Sequence, residues 1–370
     1  MKTHHRLLRD CYATLAVFVF ALFASGCGGG GSGGGNPAAT SDTTAATVDF
    51  STMASNVKAA LLKVQGRNLN SRDHTPWTIN SALFALGKNL DISVIESGKT
   101  LKAAEYLCTE ARYANQRIYR TLNGFPALPT RDISYGMTES FKIQDHVDQF
   151  LSVLGEVGIP ATQQIIGDDG TTYTVADLER ASEKGFRPSQ ELGWSLISLA
   201  VYNGLDKPFT NDQGQTYTIS DILTLAIQRD TSMEARWGAH HLYAMAYLLQ
   251  MRMNAGGTFD APWVNSRSYL DRHVRLGRQY QQADGAFSGN MFSGSSYPAT
   301  PDDLLETTGH MMLWLNVALN PDQLREDWIV RAVNRLAVEI INKDFAMFGE
   351  SGIYMSAHAL RQYSTILNLP

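Results

Sequence analysis

Four histidines recur in one context, each just ahead of an apolar run: His146 after Asp145, His240 after Ala239, His310 after Gly309 and His358 after Ala357. An imidazole titrates near neutral pH, so beside a carboxylate it can relay a proton or ligate a metal. Acids stand close by, namely Asp145, Glu306 and Glu350, with Asp73 beside His74. His146, His240, His310, His358, Asp145, Glu306 and the phenol of Tyr354 therefore form the candidate catalytic set. Trp77, Trp194, Trp237, Tyr135 and Arg131 form the candidate ligand-contact set, since aromatic faces and a guanidinium suit a glycan or a small hydrophobic ligand. Each residue also has a plain structural reading. A histidine at a helix N-terminus stays neutral and hydrogen-bonds a nearby loop, and a tryptophan fills the core. The strings His-Glu-x-x-His and Cys-x-x-Cys do not occur, so no metal or other cofactor is expected. The Gly/Ser stretch at 288–296 leads to no Gly-Lys-Ser/Thr and reads as a lid loop rather than a phosphate loop.

The elements that must position these residues follow from periodicity. The run from Met311 to Leu319 leaves no polar face, and a helix apolar on every side is buried on every side. Similar runs follow the markers Trp77, His146, Trp194, His240, His310 and His358, which are 69, 48, 46, 70 and 48 residues apart. Amphipathic segments alternate with them at 50–64, 92–119, 263–282 and 322–342, the second a longer helix, either continuous or broken near Ser97-Gly98. An internal repeat matches Thr172-Tyr173-Thr174 to Thr216-Tyr217-Thr218 at an offset of 44 residues. In each copy the second threonine caps a helix, with Asp177 or Asp221 three residues on. The expectation is an all-α fold, an (α/α)6 toroid of six helical pairs, with small hairpin-like turns near 164–174 and 208–218. Inner helices should begin at about Asp145 and Thr307, after long loops at 121–143 and 288–306, and the four histidines should line one mouth of a central cavity.

The 370 residues are 44% hydrophobic with a net charge of -5, which is ordinary globular composition. With 31 Lys and Arg against 36 Asp and Glu, no basic patch recommends nucleic acid as a partner. Lys2, Arg6 and Arg9 precede an apolar run at 12–23 and then Ala24-Ser25-Gly26-Cys27, the pattern of a bacterial lipoprotein signal. Residues 1–26 are therefore expected to be a signal peptide. Cys27 would be lipidated, 27–47 would form a Gly/Ser/Ala/Thr tether, and 48–370 would be one domain. The expected partner is a lipid bilayer, reached through the Cys27 anchor, and the expected place is the cell envelope. Gly28 follows the cysteine where an inner-membrane lipoprotein would carry aspartate, which points to the outer membrane. Cys11 would leave with the signal, so Cys108 has no disulfide partner and reads as a small buried hydrophobe.

The string Gln281-x-x-x-Gly285-x-Phe287 resembles the turn motif of the terpenoid cyclase and protein prenyltransferase superfamily. The span 50–369 also resembles an uncharacterised planctomycete-type lipoprotein family. That likeness rests on Asp145-His146-x-x-Gln149-Phe150, on 172–178, on Asp284-Gly285-Ala286-Phe287-Ser288 and on Thr307-Thr308-Gly309-His310. It implies the toroid fold and no particular activity. The cyclase string Asp-x-Asp-Asp is missing, and Cys108 lies on an expected outer helix, away from any prenyltransferase-like zinc position. The reading is an envelope protein whose toroid cavity binds a ligand. One alternative is a glycoside hydrolase or polysaccharide lyase, the hydrolase needing a carboxylate pair across a cleft. Another is a protein-interaction scaffold, with an exposed apolar rim and a filled, dry interior. A terpenoid-processing enzyme comes last.

Overall fold

The computed structural model describes residues 47–345 and 351–369. The expected signal peptide, Cys27, nearly all of the tether, and Glu350 lie outside the described residues. Among the described residues twelve α-helices carry the fold: α1 (Phe50–Gln65), α2 (Pro76–Leu86), α3 (Ala103–Thr109), α4 (Gln149–Glu156), α5 (Val175–Gly185), α6 (Gly193–Tyr202), α7 (Ile219–Gln228), α8 (Ala239–Asn254), α9 (Ala261–Tyr280), α10 (Pro301–Ala318), α11 (Asp327–Asn342) and α12 (Ser351–Leu367). The strands form five two-stranded antiparallel hairpins, and no barrel occurs among the described residues. No described helix is long and apolar enough to cross a membrane.

Local chemistry sets the boundaries. Thr174 and Thr218 accept from the N–H groups of Asp177 and Asp221, whose carboxylates reach back to the cap N–H, so a capping box opens both α5 and α7. Each box follows a hairpin, β7–β8 (Gln164–Ile166, Thr172–Thr174) or β9–β10 (Phe209–Thr210, Thr216–Tyr217), as the repeat implied. In α10 residues 307–316 are all buried, the all-round burial that its composition demands.

Four boundaries differ from expectation. Residues 92–119 are not one helix but β1 (Asp91–Val94), β2 (Lys99–Lys102), the short α3, and the hairpin β3–β4 (Arg112–Tyr113, Gln116–Arg117). Ile92 and Val94 are buried while Asp91 and Ser93 are exposed, a period of two, and Gly98 takes the left-handed φ of 66° that turns the chain. Helix α10 starts at Pro301 rather than Thr307, because Thr300 caps it by accepting from the Asp303 N–H, which shortens the second loop. Helix α4 starts at Gln149, since Asp148 sits at φ 60° and cannot continue a right-handed helix backwards. The first long loop is partly ordered as β5–β6 (Arg120–Leu122, Phe125–Ala127).

Helices α2, α4, α6, α8, α10 and α12 each pack on the next, and α12 packs on α2, so their neighbour order is cyclic. Aromatic side chains fill the space they surround. Phe84 of α2 meets Trp194 of α6 at 6.2 Å, Tyr243 of α8 at 6.4 Å and His358 of α12 at 3.6 Å. Trp194, Tyr243, Tyr354 and Trp314 are fully buried, each side chain worth about 2–3 kcal/mol of transfer free energy. Packed aromatics thus join α2, α6, α8 and α12 at this level.

Candidate imidazole–carboxylate site

The site is built where α6 and α8 begin. Gly193 lies so close to α8 that a Cβ there would stand 2.7 Å from the carbonyl carbon and oxygen of His240. His241 Nε2 accepts the Leu192 N–H at 3.2 Å, which pins the residues just before α6. Burial pushes His241 down to about 4, so it is neutral at pH 7, and its 3.5 Å approach to Glu234 is not an ion pair. These two contacts place Glu191 between two imidazoles. His146 Nδ1 is 2.5 Å from Glu191 Oε2, and His240 Nδ1 is 2.6 Å from Oε1.

Burial sets the protonation states. It lowers His240 to about 3 in spite of the Glu191 charge, because an imidazolium there would lose its hydration. Burial alone would raise the Glu191 carboxyl, but its attraction to His240 and the hydrogen bonds from both imidazoles outweigh that and hold it well below the carboxylate range. At neutral pH the ionised Glu191 carboxylate accepts one N–H from neutral His240 and a second from His146. Each of the three side chains brings one donor atom, and these lie within 4.8 Å of one another, so the group could hold a metal ion.

The cluster is the centre of a longer belt. At one end Arg131 contacts Asp145 at 2.6 Å, and Asp145 Oδ2 lies 3.5 Å from His146 Nε2. The His146 and His240 rings are 4.7 Å apart, and the His240 and His310 rings 5.2 Å. His310 Nδ1 donates to the Glu306 carbonyl at 2.6 Å and lies 3.6 Å from its carboxylate. Burial keeps His310 below its ordinary value, hence neutral. At the other end Arg236 reaches Glu306 at 3.4 Å. The candidate residues Arg131, Asp145, His146, His240, His310 and Glu306 therefore meet in one structure.

Beside the Glu306 end is a pocket of about 240 Å³, lined by Trp237, Arg236, Met291, Tyr297 and Glu306 among others. Arg236 and Trp237, which line it, and the following Gly238 are three consecutive left-handed residues at φ 50°, 49° and 75°. For Arg236 and Trp237 that conformation costs about 1–2 kcal/mol each.

Other candidates fall elsewhere. Helix α12 begins at Ser351, so His358 sits seven residues, or about 10 Å, along it instead of at its start. It is buried, stacks on Phe84 and donates from Nδ1 to the Phe84 carbonyl at 2.7 Å, and burial keeps it well below its ordinary pKa. Tyr354 is fully buried in the same helix. Trp194 is buried with its ring 4.8 Å from His240, which makes it a floor to the belt. Trp77 is half-buried at the second position of α2, and no described contact joins it to the belt. Tyr135 is exposed on the first loop.

Sequence reasoning missed Glu191. The signal was available: an acid three residues before Trp194, as Asp145 and Glu306 precede His146 and His310. It also missed Glu156, at the end of α4. The Tyr243 hydroxyl donates to its carboxyl, Ser152 donates at 3.1 Å, and burial raises it to about 8. No family model, curated protein or solved structure matches the chain.

Proposed function

We propose that the chain is a lipid-anchored (α/α)6 toroid of the cell envelope that binds the end of a glycan at one mouth of the toroid. The cyclic neighbour order of six alternate helices supports the toroid, and the leader with Cys27 supports the anchor. The observation that carries the ligand reading is the shared wall: Glu306 and Arg236 belong both to the pocket under Trp237 and to the histidine belt. A bound sugar would stack on Trp237 and offer hydroxyls to Arg236 and Glu306. A volume of about 240 Å³ falls below the ~300–1,000 Å³ of pockets that engulf drug-sized ligands, which suits one sugar ring. Of the Glu306 and His310 pair, Glu306 alone lines the pocket, with His310 3.6 Å from its carboxylate.

Native mass spectrometry of the full chain from its own envelope, followed by titration with envelope oligosaccharides, tests this. A saccharide adduct that weakens at least tenfold in Trp237→Ala is expected. A bare mass throughout would remove the ligand reading. It would leave a protein-interaction scaffold, which the filled interior favours, as do the exposed Ile133, Tyr135, Phe141 and Met233 on the loops that carry Arg131 and Arg236.

A further inference from the structure

We propose that His146, Glu191 and His240 form a binding site for a divalent first-row transition metal, with Zn²⁺ as the probe. The inference goes beyond the glycan reading and does not rest on it, since none of the three residues lines the pocket.

Burial is the first reason. The Glu191 side chain is 15% exposed, and its only described ion-pair contacts are with two imidazoles. The guanidiniums nearby are committed elsewhere: Arg131 to Asp145 and Arg236 to Glu306. A carboxylate buried with no guanidinium or ammonium against it is costly, and a bound dication removes that cost.

Geometry is the second. The three donor atoms come from three separate segments and lie within 4.8 Å of one another. Bonds of about 2.0–2.1 Å at tetrahedral angles place ligand atoms about 3.3 Å apart. The two N···O pairs, at 2.5 and 2.6 Å, need to open by less than about 1 Å to reach that spacing, and the widest pair of the group, up to 4.8 Å, needs to close by up to about 1.5 Å. Each imidazole would offer Nδ1 to the metal and carry its N–H on Nε2. For His146 the acceptor of that N–H is already in place, Asp145 Oδ2 at 3.5 Å, the outer carboxylate that usually orients a ligating histidine. The His146 and Glu191 side chains remain 14% and 15% exposed while His240 is 2% exposed, so the open coordination position faces solvent on the His146 side. Two histidines, one carboxylate and an open position suit Zn²⁺ or Fe²⁺ better than Mg²⁺ or Ca²⁺.

The test is isothermal titration of the EDTA-treated full chain with Zn²⁺ at pH 7.5, alongside Co²⁺ absorption. The expected result is one site per chain. Glu191→Gln and His240→Ala weaken it at least 100-fold, and Asp145→Asn, which retains all three ligands, weakens it about 10–100-fold. His74→Gln, whose imidazole is hydrogen-bonded to the Asn70 backbone and is not one of the three ligands, leaves it unchanged. Zn²⁺ raises the melting temperature of the wild type but not of Glu191→Gln, whose fold is verified by circular dichroism. Wild-type binding no tighter than that of Glu191→Gln, or a site lost equally in His74→Gln, overturns the proposal. A failure here leaves the glycan titration unaffected, because that assay reads Trp237.

Discussion

Replacing Glu156 by glutamine should make stability rise with pH relative to the wild type. In the folded chain the carboxyl is buried among Ser152, Tyr243 and the helices around them, and burial raises it from 4.5 to about 8, with Arg361 opposing only weakly. In the unfolded chain it ionises near 4.5. Between these values the unfolded state sheds a proton that the folded state retains. The stabilisation is therefore complete below pH 4.5 and is lost progressively until the pH passes about 8. At about 1.4 kcal/mol per pH unit, the wild type forfeits about 3 kcal/mol by pH 7 and about 5 by pH 9. Glutamine cannot ionise, and its carbonyl can still accept from the Tyr243 hydroxyl. Glu156→Gln should thus match the wild type within about 1 kcal/mol at pH 5 and exceed it by several kcal/mol at pH 9. Urea denaturation of both proteins at pH 5, 7 and 9 measures this, and subtracting one curve from the other cancels every other titrating group. A difference that stays flat across that range refutes the reasoning. So does a variant that loses ground at high pH, since the carboxylate would then be ionised and held by Arg361.

Two further outcomes follow from the belt. His240 is lowered to about 3 by burial, so the unfolded state gains a proton as pH falls below 6.5 and stability is lost in that direction; His240→Gln should flatten the urea stability curve between pH 7 and 4.5 by about 2–3 kcal/mol, and an unchanged slope would mean that His240 is charged when folded. Gly193→Ala puts a methyl 2.7 Å from the His240 carbonyl, so it should cost about 1–3 kcal/mol, seen as a lower urea midpoint at constant m-value, and an unmoved midpoint would show that α6 and α8 part easily.

What was legible in the sequence was the information that acts locally. Thr174 with Asp177, and Thr218 with Asp221, cap their helices through contacts three residues apart, and they do so wherever the rest of the chain lies. The all-round apolar character of 311–319 likewise dictated burial. His146, His240 and His310 were visible because they repeat one context at the start of an apolar run. The failures share one cause, which is that short windows do not separate a period of two from one of 3.6. Ile92 and Val94 fit a strand face and a helix face equally until Gly98 turns the chain. His358 was misplaced because α12 begins seven residues earlier than its apolar run suggests. Glu191 depends on a meeting of α6 with α8 that Gly193 permits, and no single segment announces such a meeting.

The belt and the aromatic packing beside it are linked. Phe84, Trp194, Tyr243 and His358 pack together between the cyclically packed helices, with the Glu156–Tyr243 hydrogen bond next to them. The carboxylates of the belt stand towards the helix starts: Asp145 and Glu191 sit just before α4 and α6, and Glu306 lies in the second turn of α10. The positive ends of helix dipoles favour carboxylates and disfavour imidazolium at such positions. Burial acts in the same sense on His240 and His310. Both effects favour an ionised Glu191 beside neutral His240, a combination able either to accept a proton or to donate lone pairs to a metal. A histidine that kept its charge there could do neither. The same aromatic packing that closes the interior therefore fixes the protonation state of the belt above it, and a cavity-making change such as Trp194→Ala should raise the His240 pKa, measurable by NMR titration, as water enters beneath the imidazole; an unaltered titration would mean that Trp194 contributes nothing to the desolvation of His240.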